Sequence, residues 1–156
     1  MPTLIFARHA HASNEAGPDY DRPLTPEGRE EARRAGEHLA DLPIDFAIAS
    51  SARRTTETAQ LIIEQLNSSP QVRLDDALYQ AQVLDCREAV ATIPPDSQAA
   101  IIVGHNPTVA QAVSEFSGVP VEKFRPSSIA VFTIDSWEDA AGVLPQPQIL
   151  DFTERV

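Results

Sequence analysis

The chain reads as an α/β protein, a three-layer α/β/α sandwich in which helices cover both faces of a mainly parallel central sheet. Apolar runs at residues 3–7, 46–49, 99–103, 129–134 and 148–152 have the length of strands. Several lack the polar alternation of a half-solvated strand, as expected where both faces of a sheet are covered. Segments of helical periodicity separate these runs, and the β-α-β-α order that results is that of parallel strands joined by crossover helices. At 156 residues the chain fits one compact domain, 1–156, with a core large enough to need no staples.

Each element has a local reason. Leu4-Ile5-Phe6-Ala7 forms the first strand and runs directly into Arg8-His9-Ala10. Thr25 is placed to cap a helix that has Pro26 at its first position, where a missing N–H costs nothing, and Ala32, Ala35, Leu39 and Leu42 then lie along one stripe. The strand at 46–49 leads to a helix from Ala52 to Leu66, with Ser50 or Ser51 as cap and Ala59, Ile62, Ile63 and Leu66 facing inward. A shorter helix spans Val83 to Thr92 and stops before Pro94-Pro95. The strand at 99–103 is followed by Gly104-His105-Asn106, and a fourth helix starts at Pro107 or Thr108, carries Val109, Ala112, Val113 and Phe116, and ends on Gly118. Residues Ser136 to Gln148, with Gly142, Pro145 and Pro147, read as a surface loop before the last strand.

Composition narrows the function. Twenty-three acidic against 12 basic side chains give a net charge of −11, which disfavours attraction to nucleic acid or anionic lipid. Cys86 is the one cysteine, so an internal disulfide is excluded and a reducing cytoplasm is the expected compartment. The first strand reaches Arg8 before a signal-peptide core could be built, and no apolar run approaches the roughly 20 residues of a membrane helix. A soluble, cytoplasmic protein is expected. Yet Arg8, Arg22, Arg53 and Arg54 all lie in or beside loop-like segments, so this acidic chain can still hold a basic pocket for a small anion.

The candidate chemistry sits where strands end. Loops that follow parallel strands converge on one crevice, which brings His9 and His105 to the same edge of the sheet. Either histidine alone is more simply a packing or capping residue. Arg8 beside His9 changes that, because a guanidinium fork matches phosphate oxygens while a neutral imidazole can attack phosphorus. Ser50-Ser51-Ala52-Arg53-Arg54 enters a helix near the same crevice, with free N–H groups and the positive end of a helix dipole. One of those arginines is expected to face the pocket; the plainer alternative makes both solvated helix charges. Arg22 either contacts the ligand or pairs with Asp19 or Asp21 at the surface.

Taken in order, Arg8-His9-Ala10, Arg22-Pro23-Leu24-Thr25-x-x-Gly28, Ser50-x-x-x-Arg54-x-x-x-Thr58, Gly104-His105-Asn106-Pro107 and Ser127-Ser128-Ile129-Ala130 resemble the histidine phosphatase superfamily over nearly the full chain, and in particular its small SixA-type phosphohistidine phosphatase branch. The resemblance implies a phosphoglycerate mutase-like fold and a metal-independent hydrolase with no cofactor. It makes His9 the nucleophile that is transiently phosphorylated, and Arg8, Arg54 and His105 the rest of the phosphate pocket. Arg22 is a further contact. Asn14 and His11 are candidates at the rim, with His11 equally readable as a bystander. The expected partner is a phosphorylated protein or a small phosphorylated substrate.

One departure bears on substrate. Many larger members of the superfamily carry a glutamate after the second helix that protonates the leaving group. Here that region reads Leu74-Asp75-Asp76-Ala77-Leu78-Tyr79, with Asp75 or Asp76 as the carboxylates on offer. Without an acid, an imidazole whose conjugate acid has a pKa of about 6.5 departs far more easily than an alkoxide near the roughly 15.7 of water. This favours phosphohistidine, or an aryl phosphate in a test tube, over sugar phosphates, and a chain too short for large lid insertions points the same way. A small phosphate ester or nucleotide handled by the same mechanism is the second reading. A non-catalytic phosphate- or partner-binding module is the third. A metal site on His9, His11 and His105 has the right donors, but the arginines beside it would repel a cation.

Overall fold

The structure is a computed structural model, and it describes residues 1–14 and 17–153. Ten principal elements follow one another: β1 (Thr3–Arg8), α1 (Pro26–Leu39), β2 (Phe46–Ser50), α2 (Arg53–Glu64), β3 (Gln71–Asp75), α3 (Val83–Ala91), β4 (Ala99–Gly104), α4 (Thr108–Ser117), β5 (Ile129–Thr133) and β6 (Gln148–Leu150). The strands form a six-stranded sheet in the order β3-β2-β4-β1-β5-β6. β1, β4, β2 and β3 are mutually parallel, whereas β5 runs antiparallel to β1 and β6 antiparallel to β5. Register pairs Arg8 with Gly104 and Ser50 with Asp75. The carboxyl ends of β1, β4 and β2 therefore open on one edge.

Two cores hold the layers together. Leu4, Phe6, Phe46, Ile48, Ala100 and Ile102 face α3 and α4, meeting Val113 and Phe116. Ile5, Ala7, Ala47, Ala49, Ile101 and Val103 face the other way, toward Ala35, Leu39, Ala59 and Ile62 of α1 and α2. The two-residue period of each central strand thus supplies both faces at once, which is why these runs show no polar alternation. Cys86 is a buried member of the first core, and burial pushes its thiol up to about 12.

The α/β/α architecture with a mainly parallel sheet stands as expected, with four local differences. β3 has no counterpart among the expected strands. Its apolar residues Val72 and Leu74 are two, both about half exposed at the sheet edge, so there was no buried run to read. The cap of α2 is Ala52 without a side-chain bond, not Ser50 or Ser51, because the Ser50 hydroxyl is turned to His105. β6 stops at Leu150, where Asp151 bends the chain by accepting from the Thr153 N–H at 2.8 Å. The loop after β5 contains a 3-10 turn, Trp137–Ala141. Elsewhere the signals act as written: the Gly28 N–H donates to Thr25 Oγ1 at 2.9 Å, and Gly118 closes α4 in the left-handed region at φ 73°.

Candidate active site

β1 delivers the nucleophile candidate, and backbone bonds from three directions fix it. The His9 N–H donates to Gly104 O, the Ser127 N–H donates to His9 O, and the Arg8 N–H donates to Ser128 O. The next residue is also held: the Ala10 N–H donates to Thr58 Oγ1 at 3.0 Å, and that hydroxyl donates to Arg54 O at 2.7 Å. Thr58 thereby ties the loop after β1 to the first turn of α2. On the other side, Thr25 N–H donates to His11 O, and Gly28 lies so close that a Cβ there would stand 2.1 Å from His11 O.

His9 Nδ1 lies 2.7 Å from Ala10 O. A carbonyl only accepts, so Nδ1 carries the proton and Nε2 keeps a free lone pair. Burial first, and then the nearby His105, Arg8 and Arg54, lower the His9 pKa to about 3. The ring is neutral at physiological pH. His105 stands opposite, ring centroids 5.4 Å apart, and burial followed by Arg54 lowers it to about 4. Its Nε2 is 2.8 Å from Ser50 Oγ. A serine hydroxyl donating to Nε2 would place the ring proton on Nδ1, turning that atom into a donor.

The two arginines are held in the same manner. Arg8 Nη1 donates to Phe124 O at 3.1 Å, and Arg54 Nη1 donates to Asp19 O at 2.8 Å. Each leaves Nε buried and without a partner. Arg54 is 7% exposed, and burial lowers the Arg8 guanidinium from its ordinary value, as for a cation stripped of water before any anion has arrived. Among the described residues the buried side-chain polar atoms lacking a partner are Arg8 Nε, Ser51 Oγ, Arg54 Nε and His105 Nδ1. All four lie at or just beyond the carboxyl ends of β1, β2 and β4.

Arg22 and Asn14 stand at the mouth: Arg22 donates to Ser13 O at 2.7 Å, to Asp19 Oδ1 at 3.1 Å and to Asn14 Oδ1 at 3.1 Å. Arg53 points outward to Glu57 at 3.5 Å. His11 turns away from the pair of facing histidines, its Nδ1 2.6 Å from the carboxylate of Glu31, a residue only 1% exposed that also accepts from Ser127 Oγ. The three histidines weighed as nitrogen ligands are therefore not brought together, and among the described residues no three His, Cys, Asp or Glu side chains converge as a metal site requires. No helix of the described residues is long and apolar enough to cross a membrane.

Asp75 and Asp76 lie where β3 ends. Asp75 accepts from the Ala77 N–H at 2.9 Å to cap a 3-10 turn, and Asp76 is exposed at its start. The residue of that segment that does reach the site is Tyr79, whose ring meets His105 edge-on at 5.6 Å. Its hydroxyl donates to Asp19 Oδ2 at 2.6 Å, and Arg54 Nη2 donates to the same oxygen at 3.1 Å. Asp19 and Tyr79 are thus site residues that spacing did not reveal. Asp19 was visible in the sequence only as a surface partner for Arg22.

The chain and its fold have known relatives. Residues 4–86 match the profile described as the histidine phosphatase superfamily (branch 1). A Mycobacterium tuberculosis protein of uncharacterised function is 32% identical across 85% of this chain and 90% of its own length. The 2,3-bisphosphoglycerate-dependent phosphoglycerate mutase of Rhizobium etli is 41% identical over 43% of this chain, a match that spans 35% of the mutase. In three dimensions, the Nakamurella multipartitia protein assigned as the phosphohistidine phosphatase SixA superposes with a TM-score of 0.85 at 30% identity, covering 96% of this chain and 95% of that one. The protein histidine phosphatase SixA complexed with tungstate gives 0.84 at 22% identity over 96% and 97%. The fold is that of these phosphatases, and the chain belongs to the histidine phosphatase superfamily, branch 1.

Proposed function

We propose that the protein is a phosphatase that takes a phosphoryl group from phosphohistidine on a protein, through a covalent intermediate on His9. The observation that carries the reading is the gathering of partnerless buried donors on Arg8, Arg54 and His105. Buried polar groups left unpaired cost about 1–3 kcal/mol each, and an oxyanion seated among them would satisfy all three. His9 Nε2 attacks phosphorus in line, the guanidinium edges of Arg8 and Arg54 spread the charge of the transferring group, and His105 donates from the far side. Water then releases phosphate from His9. With Asp75 capping a turn and Asp76 exposed, neither is assigned as a leaving-group acid, which suits a nitrogen that departs without help. The likeness to the SixA structure, at 30% identity, favours the same substrate class.

The test is a trapping experiment. Wild type and His9→Ala are incubated with a labelled phosphodonor and quenched within milliseconds. An acid-labile, alkali-stable phosphoenzyme is expected in wild type and absent in the variant; label that persists in His9→Ala would sink the nucleophile assignment.

A further inference from the structure

In-line attack by His9 from the strand end places the leaving group on the opposite side of phosphorus, toward the mouth of the pocket. That mouth carries a carboxylate. Asp19 is half exposed, its side chain 52% accessible, and it is gripped by Arg22 Nη1, Arg54 Nη2 and the Tyr79 hydroxyl. Tyr20, from the same short turn, meets the Tyr79 ring edge to face at 5.0 Å, and Tyr79 in turn rests against His105. A leaving group at this point therefore meets two aromatic rings and one fixed anion.

Resting on the phosphohistidine reading above, we propose that Asp19 is a specificity-determining residue, whose carboxylate accepts a hydrogen bond from the N–H of a protonated leaving imidazole and disfavours leaving groups that depart as anions. The groups facing Asp19 are Arg22 from its own loop, Arg54 from α2, Tyr79 from the loop after β3, and His105 after β4. The Tyr79 hydrogen bond first, then Arg22 and Arg54, hold the Asp19 carboxyl well below the usual carboxylate range. At neutral pH it is an acceptor, not a proton donor.

The step balances without a general acid. The lone pair of His9 Nε2 forms the new N–P bond while the old P–N bond breaks, and the electrons of that bond stay on the departing nitrogen. The ring enters protonated on its other nitrogen and leaves as neutral imidazole with that N–H still directed at Asp19. No proton changes hands. An aryl phosphate, in contrast, releases a phenolate beside a carboxylate, which repels it.

The experiment compares kcat/KM for phosphohistidine and for p-nitrophenyl phosphate in wild type, Asp19→Asn and Tyr79→Phe. Because charge-assisted hydrogen bonds are strong, Asp19→Asn is expected to lower the phosphohistidine value roughly ten- to a hundredfold. It should raise the aryl phosphate value about two- to fivefold by removing a like charge. Tyr79→Phe, which removes one of the three donors that fix the carboxylate but leaves its charge, should lower the phosphohistidine value by less and leave the aryl phosphate value unraised. Parallel losses on both substrates would mean that Asp19 merely props Arg54, and would overturn the proposal. A wild type that traps phosphate on His9 and prefers phosphohistidine, with a preference unchanged in both variants, would retire the Asp19 role alone. A wild type with no preference for phosphohistidine would remove the substrate reading and this one together.

Discussion

At the scale of the residue, the site is a study in how burial sets protonation. His9 is useful as a nucleophile only while neutral, and the strand end supplies that by withdrawing the ring from water and surrounding it with cations. Arg54 is held by Asp19 along one edge and left open at Nε. Arg54→Ala is expected to lower kcat/KM on the order of 10³-fold, as for other arginines that stabilise a transferring phosphoryl group. Steady-state rates with p-nitrophenyl phosphate would measure it, and a loss under tenfold would remove Arg54 from transition-state stabilisation. Residues of this kind were legible in the sequence because strand ends are legible: Arg8, His9 and His105 each follow an apolar run by one or two positions. Spacing alone did not separate Arg54 from Arg53; the family resemblance did, and the turn of α2 sends Arg53 outward to Glu57. Asp19 and Tyr79 were not separable at all, since they meet across 60 residues and nothing local marks either one.

At the scale of the element, the motif Arg22-Pro23-Leu24-Thr25-x-x-Gly28 is a mounting. Its backbone pairs with the loop after His9 through an Ala12–Leu24 bridge, Leu24 N–H reaches Glu57 of α2 at 2.8 Å, and α1 lies close only because Gly28 has no side chain. Gly28→Ala would place a methyl group 2.1 Å from a carbonyl oxygen, so helix and loop must separate. A loss of about 1–3 kcal/mol is expected from such overpacking, together with a fall in kcat as the backbone beyond His9 shifts. Urea denaturation and turnover on one preparation would check both; a variant as stable as wild type would show that α1 is not tightly seated. Helix caps and apolar stripes gave α1 and α4 away in the sequence. The edge strand β3 stayed hidden because an edge needs no buried run, and the α2 cap was misplaced because Ser50 serves the site instead of the helix.

For the whole molecule, the depressed histidines couple chemistry to stability. In the unfolded chain His9 and His105 regain an ordinary pKa of about 6.5, whereas the native values are about 3 and about 4. The sign follows from proton uptake. Between pH 6.5 and 4 the unfolded state binds protons that the native state refuses, so stability present above pH 6.5 is lost as pH falls through this window. Thermal unfolding across pH 7.5 to 4.5 should show Tm falling, with a shallower slope in a His9→Ala, His105→Ala double variant. An identical slope would mean that other groups govern the acid limb.

The segment from Phe124 to Ser128 has a consequence in time. Phe124 O grips Arg8 and Asn106, Ser127 binds His9 O and the carboxylate of Glu31, and Ser128 O takes the Arg8 N–H. The candidate nucleophile is therefore clamped by chain more than a hundred residues away in sequence. A nascent or half-folded chain has the reactive histidine but not its harness. The site is complete only once the segment before β5 has packed against the end of β1, so a partly folded chain is expected to lack activity.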